Sequence, residues 1–333
     1  MAPVNSKRVF SGIQPSGELH IGNYLGAVQN WVRLQTQYEC LFCVVDLHAI
    51  TQPYDAATLP SLTLDMAVSL FAAGLDPEKC IVFVQSHVPE HAELNWLLNT
   101  VTPLGELERQ TQFKDKSQRQ ESIPAGLLNY PVLQAADILL YRAELVPVGE
   151  DQLQHLELSR EIVRRWNTRF GDFFPEPQGL LTATRRVLGL DGQAKMSKSL
   201  GNTIGLFDDP DTIWEKLRPA ATDPARVTRK DPGNPDICNV FTIHQGFSPP
   251  NIQAEVAHKC RTAGWGCLDC KRVLADHMIA ALAPIRERAA ALRADPKRVE
   301  DILRDGAERA RAIARATLDE VKRRMGFYSL PAD

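Results

Sequence analysis

The chain holds no apolar run approaching the roughly 18 residues of a membrane-spanning helix. Its opening, Met1 to Arg8, carries no hydrophobic signal core and no convincing transit pattern. Both absences predict a cytoplasmic protein with no membrane partner. Charge of one sign is also missing: 38 Lys and Arg against 41 Asp and Glu leave a net −3. That excludes an all-over basic protein, although a nucleic acid needs only a local basic face. The glycine spacings of the P-loop and of the dinucleotide fingerprint are absent too. No obvious nucleophile–base pair stands out. The 333 residues suit two domains or one large one.

What the chain does have begins at Phe10. A β-like run, Arg8-Val9-Phe10, breaks at Gly12 and passes through Pro15, Ser16 and Gly17. An apolar-periodic segment from Ile21 to Leu34 then predicts a helix. Strand, glycine-rich turn and helix start make a phosphate or nucleotide site, since glycine lets backbone approach and free N–H groups attract anions. Further strands are predicted over 40–45 and 80–84, and helices over 59–73, stopped by Gly74, and 90–98. Strands without alternation, separated by helices, predict an α/β fold with a parallel sheet covered on both faces. Ligands then bind beyond the carboxyl ends of the strands, where Gln14, Asp46, His48 and Gln85 are expected to rim one crevice. Cys40 and Cys43 stand three apart on a strand and face opposite ways, so they read as buried thiols and not as a metal pair.

Between 106 and 120 the chain is polar, with Lys114, Lys116 and Arg119 around Ser117. It is either a solvated loop or a lid touching phosphates, and Lys116 is the residue that speaks for the lid. A helix is predicted over 126–141, interrupted early by Pro131. Tyr130, Gln134 and Asp137 recur at spacings of four and three and so share a face. A buried Asp is costly unless something donates to it; indole N–H is a donor only, so an aromatic pocket floored by Asp137 could select tryptophan. A capped or ion-paired Asp is the plainer explanation. Leu145 to Val148 reads as a strand, and Gly149-Glu150-Asp151-Gln152 as the opening of a helix reaching Arg169. Acidic residues there either suit the helix dipole or hold ribose hydroxyls. The arginines at 160, 164, 165 and 169 read as a mostly solvated face that could also meet RNA. Lys195-Met-Ser-Lys-Ser199, between Gly192 and Gly201, suits a loop closing over a polyphosphate and countering the charge of a departing pyrophosphate.

His20-Ile-Gly-Asn23 resembles the first nucleotide motif of the class I aminoacyl-tRNA synthetases, and 195–199 resembles the second. Phe-Ser-Gly-Ile-Gln-Pro-Ser-Gly at 10–17, Asp-Leu-His-Ala-Ile-Thr at 46–51, Gly-Glu-Leu-Glu-Arg at 105–109, Ala-Ala-Asp-Ile-Leu at 135–139 and Val-Pro-Val-Gly-Glu-Asp-Gln at 146–152 extend the likeness over nearly the whole chain, to the tryptophanyl-tRNA synthetases. The resemblance implies a Rossmann-type catalytic domain over 1–205, a helical anticodon-binding domain over 206–333, and a homodimer. It implies activation of L-tryptophan by ATP, accompanied by Mg2+, to tryptophanyl-adenylate and pyrophosphate, then transfer to the terminal adenosine of tRNA(Trp). By the same resemblance Gln14, Pro15, Ser16, Gly22 and Asn23 contact ATP, with His20 near its phosphates. Gly149, Glu150 and Asp151 hold adenosine, Val187 packs by the adenine, and Lys195, Met196, Ser197, Lys198 and Ser199 form the phosphate loop. Asp137 receives the indole N–H, with Phe10, Gly12, His48, Tyr130, Val146, Val148 and Gln152 around the amino acid. Gln134 departs from the commonest bacterial form, which has methionine there; glutamine resembles mitochondrial enzymes and a cysteine-bearing bacterial subgroup.

From Asp208 onward helices dominate, ending in one over about 297–325 with Val299, Ile302, Leu303, Ala310, Ile313, Ala314 and Val321 on one stripe. The basic loop Arg226 to Lys230 is a candidate for phosphate contact. Cys238, Cys260, Cys267 and Cys270 read C-x21-C-x6-C-x2-C, in a compartment where clustered thiols favour metal over disulfides. Spacing leaves tetrahedral zinc and an iron–sulfur cluster both open. A subgroup of tryptophanyl-tRNA synthetases carries a [4Fe–4S] cluster on nearly this spacing, so the resemblance implies the cluster, with zinc as the alternative. Tyrosine specificity is the rival within the class, and a catalytically idle RNA or tryptophan sensor is the rival outside it.

Overall fold

The computed structural model describes residues 7–111, 113–114, 122–149, 152–181, 187–197 and 200–328. Five parallel strands form its centre, β1 (Arg8–Ile13), β2 (Glu39–Val44), β3 (Cys80–Val84), β4 (Leu145–Val148) and β5 (Gln178–Leu181), in the order β3-β2-β1-β4-β5. β1 therefore has β2 on one side and β4 on the other. The chain reverses its direction of winding there, and a crevice opens at the carboxyl ends of those strands. β1 runs on through Gly12 instead of breaking at it, because Gly12 and Ile13 still pair with Cys43 and Val44 of β2; a side chain at Gly12 would meet Val45 Cγ1 at 2.7 Å.

Successive residues of β2 point to opposite faces and enter opposite cores. Cys40, Phe42 and Val44 join one apolar cluster, whereas Leu41, Cys43 and Val45 join the other. The two thiols of the Cys40–Cys43 pair are accordingly separated by the sheet, as the spacing predicts. The first face is covered by α1 (21–34), α2 (Leu59–Ala73) and α9 (Cys267–Ala294); the second by α3 (Glu90–Asn99), α4 (Ala125–Leu140) and α5 (Leu153–Phe170). Helix α1 is not uniform: Tyr24–Val28 form a π turn between two α segments. α2 ends where Gly74 takes φ +117°, a left-handed conformation that costs glycine least. α5 runs from Leu153 with Gln152 as its cap; Glu150 and Asp151, where the sequence predicts the helix to open, lie outside the described residues.

The region after 206 is helical, with α6 (Pro210–Leu217), α7 (Asn239–Phe247), α8 (Pro250–Arg261), α9 and α10 (Pro296–Met325). It does not stand apart from the sheet. Leu274, Leu282, Val299 and Leu303 belong to the cluster that holds Val9 and Phe42. Burying each such side chain is worth about 1.5–3 kcal/mol. α10 crosses β3 so closely that a Cβ on Gly306 would fall 1.9 Å from the Val82 carbonyl oxygen. Arg311 and Arg315 of α10 donate to the buried carboxylate of Glu90 on α3, at 2.8 and 3.1 Å. No helix among the described residues is long and apolar enough to cross a membrane.

Candidate active site

The turn after β1 presents Gln14 and Ser16 exposed and Pro15 buried, and Gly17 has φ +104°. Its exit is locked by a reciprocal cap. Asn23 N–H donates to His20 Nδ1 at 3.3 Å, and His20 N–H donates to Asn23 Oδ1 at 3.4 Å. The first and last residues of His20-Ile-Gly-Asn23 thus start helix α1 as well as border the crevice. The residue between them explains the glycine. A Cβ on Gly22 would lie 3.0 Å from the His20 ring and 3.2 Å from Met196 Cβ. Met196 is 2% exposed, so the loop beginning at Lys195 is pressed directly onto the first motif. Backbone bonds Ile21 N to Ile204 O (3.0 Å) and Leu206 N to Leu19 O (2.8 Å) seal the two segments together. Lys195 pairs with Leu188 in an antiparallel bridge and keeps an exposed position. Val187 is buried and Ser197 half-buried, whereas Lys116, Glu150, Asp151, Lys198 and Ser199 lie outside the described residues.

Across the crevice, Asp137 is 1% exposed and both its oxygens are engaged. Oδ2 lies 2.7 Å from His48 Nε2, and Oδ1 lies 2.7 Å from His91 Nδ1 and 2.7 Å from Gln85 Nε2. A carboxylate only accepts, so all three donate. The other ring nitrogen of His91, Nε2, lies 2.7 Å from the Tyr141 hydroxyl. Burial alone would raise the Asp137 pKa, but the charge and hydrogen bond of His48 and those of His91 outweigh it and hold the carboxyl below its usual 3.8. Gln85, expected on the crevice rim, is fully buried and serves Asp137 from beneath. Asp46 ties two strand ends, accepting from Ser86 N–H at 2.9 Å and Leu47 N–H at 3.1 Å.

Tyr130, Gln134 and Asp137 do share a face: His48 bonds Asp137 and meets the Tyr130 ring edge-on, 6.4 Å between centroids. The Tyr130 hydroxyl reaches His155 Nε2 at 3.0 Å, and His155 Nδ1 reaches Gln110 Oε1 at 3.1 Å. Gln134 is half-buried. Phe10 stacks on Tyr141 (5.5 Å, 12°) within the core that also holds Val146 and Val148. Gln152 donates its N–H to the Gly149 carbonyl at 3.0 Å, closing the turn after β4.

Residues 4–283 match the sequence family described as tRNA synthetases class I (W and Y). The chain is 58% identical over 328 residues to the tryptophan–tRNA ligase of Deinococcus radiodurans, spanning 97% of this chain and 99% of that one. To the tryptophan–tRNA ligase of Caldanaerobacter subterraneus it is 48% identical over 327 residues, 96% of this chain and 98% of that one. The chain belongs to the class I tryptophanyl-tRNA synthetases. The tryptophanyl-tRNA synthetase of Campylobacter jejuni, crystallised with ADP and tryptophan, has the same fold at TM-score 0.86 and 36% identity, covering 96% of this chain and 100% of that one.

The cysteine-rich part of this synthetase is built from three helices. Cys238 caps α7, Cys260 sits in the last turn of α8, and Cys267 and Cys270 share the first turn of α9. The four thiols share one neighbourhood: burial pushes Cys270 up to about 12, and Cys238, Cys260 and Cys267 add to that shift. Gly233 makes room there, since a Cβ on it would meet Cys260 Sγ at 2.7 Å. Among the described residues, however, no three His, Cys, Asp or Glu side chains are grouped closely enough to hold a metal ion. In the basic loop Arg226 donates to the Trp265 and Arg229 carbonyls, and Arg229 pairs with Asp269 at 3.2 Å while Arg229 and Lys230 stay exposed. On α5, Arg164 pairs with Glu157, Glu161 and Glu176, an exposed network in keeping with a solvated face.

Reading the sequence missed His91, and one signal could have found it. His91, Leu94 and Leu98 fall on one helical stripe, so a histidine sits where an apolar residue is due.

Proposed function

We propose that the chain is a tryptophan–tRNA ligase working in two steps at the crevice above β1 and β4. A tryptophan carboxylate oxygen attacks the α-phosphorus of ATP and the bond to pyrophosphate breaks. A hydroxyl of the terminal adenosine of tRNA(Trp) then takes the tryptophanyl group and AMP leaves. Gln14, Pro15, Ser16, Gly22 and Asn23 would cradle ATP with its Mg2+, beside His20, and Gly149 with Glu150 and Asp151 would hold the adenosine, near Val187. Lys195 and Lys198, with Lys116, would face the departing pyrophosphate, where fixed positive charge lowers the barrier most. The observation that carries this reading is the buried Asp137, its carboxylate held by His48, His91 and Gln85. Its Oδ2 has one donor and a second lone pair, which an indole N–H could use. A pocket built to accept that N–H rejects side chains that lack it in that place.

The four cysteines are proposed as a metal site, a [4Fe–4S] cluster with zinc as the alternative. An all-sulfur donor set on three helices suits either, and the group would brace the helical region without entering the reaction. A homodimer, a cytoplasmic location, and a division into a catalytic domain (1–205) and an anticodon-binding domain (206–333) complete the proposal. Pyrophosphate exchange that depends on tryptophan and not on tyrosine is the expected result; exchange driven by tyrosine would overturn the assignment. Iron and acid-labile sulfide measured on anaerobically purified protein decide the metal.

A further inference from the structure

Two asparagines outside both signature motifs hold the segment that carries Lys195. Asn202 is 5% exposed; its Oδ1 accepts Ser197 N–H at 2.8 Å, and its Nδ2 donates to Asp191 Oδ2 at 2.9 Å. The side chain lies in a notch that only glycine allows, since a Cβ on Gly189 would fall 1.9 Å from Asn202 Nδ2. Asn239, 9% exposed, grips the other side of the same turn. Its Oδ1 accepts Leu188 N–H at 3.2 Å, and its Nδ2 donates to the Leu188 and Gly189 carbonyls at 3.1 and 2.9 Å. The asparagine thereby completes both backbone valences of Leu188, as a neighbouring strand would. Leu188 in turn bridges Lys195.

We propose that Asn202 and Asn239 are positioning residues that fix the height of the loop bearing Lys195 above His20 and Gly22, and so set where its positive charge meets the leaving pyrophosphate. Neither side chain needs to touch ATP. Asn202 bonds the loop in its middle and Asn239 bonds its base. Asn239 also follows Cys238 directly, so the residue that grips Leu188 and Gly189 is the chain neighbour of one of the four thiols. The inference rests on 195–199 acting as the phosphate loop.

The test is tryptophan-dependent pyrophosphate exchange on the full-length enzyme, with thermal unfolding of every variant. Asn202→Ala is expected to lower kcat on the order of 10- to 100-fold and to raise KM for ATP, leaving KM for tryptophan and the unfolding midpoint unchanged. Gly189→Ala, which pushes the Asn202 side chain out of its notch, is expected to behave alike. Asn202→Asp places a carboxylate against Asp191 and should also be slow. Adding Asp191→Asn to it restores a donor–acceptor pair and should bring kcat back to within about threefold of the starting enzyme. Full activity in Asn202→Ala, or a loss matched by a lowered midpoint, overturns the proposal. Failure of the exchanged pair to recover does so as well. An inactive parent enzyme would instead sink the phosphate-loop reading itself.

Discussion

The two sides of the crevice are built by opposite means. Under the side proposed for the amino acid lies Asp137, fully enclosed and bound by three side chains from three elements, with Tyr141 fixing one of them from behind. On the side proposed for the phosphates the chain is held by its backbone, through asparagine side chains, while Lys195 stays exposed. Selecting a side chain requires a dry acceptor that cannot turn to water for a substitute donor. Assisting a leaving pyrophosphate requires charge that meets the ligand and then lets it go. Stability and selectivity are therefore tied together on one side, and on the other rate is separable from stability.

The sharpest way to break this contrast is Asp137→Ala. It strands three buried donors, and unfolding free energy should fall by about 3–5 kcal/mol, with tryptophan no longer preferred over tyrosine in binding; an unchanged denaturation midpoint would show that the floor is not coupled to the fold. Lys195→Ala should do the converse, slowing pyrophosphate exchange by roughly 100- to 1000-fold with no shift in the same denaturation curve. His91→Phe removes one donor from Asp137 and the acceptor of Tyr141, for about 1–3 kcal/mol, with a several-fold rise in KM for tryptophan and little effect on that for ATP. The smallest effect is in acid. The folded-state pKa of Asp137 is held below 3.8, so its contribution is complete above that value and is lost as pH falls through the lower folded value. Acid titrations of stability should steepen below about pH 4 in the parent, and Asp137→Asn should flatten that limb.

Much of this was legible because apolar runs bounded by turn residues are strong local signals. The strands at 80–84 and 145–148 and the helix at 59–73 match the sequence reading residue for residue. The turn within α1 was not, since apolar periodicity does not register a switch of hydrogen-bond pattern at Tyr24–Val28. β5 escaped because Gln-Gly-Leu-Leu is too short and too poor in β-branched residues to announce a strand. The two signature motifs pointed to the crevice, and the structure brings them into contact through Gly22 and Met196. The residues that hold the second of them, Asn202 and Asn239, gave no warning. An amide in a loop or at a helix start has no periodicity, and its role exists only once segments distant in the chain have met.

The contact between Gly306 and Val82 has a consequence for how the molecule is made. β3 is an edge strand among the described strands, and its cover, α10, lies far downstream of it in the chain. Until α10 is in place one flank of the sheet carries unpaired backbone groups, the kind of edge that recruits other chains. Closing it joins partners far apart in sequence, a slow step. Shielding of the nascent chain, by chaperones or by dilution, therefore matters most in the interval before α10 emerges.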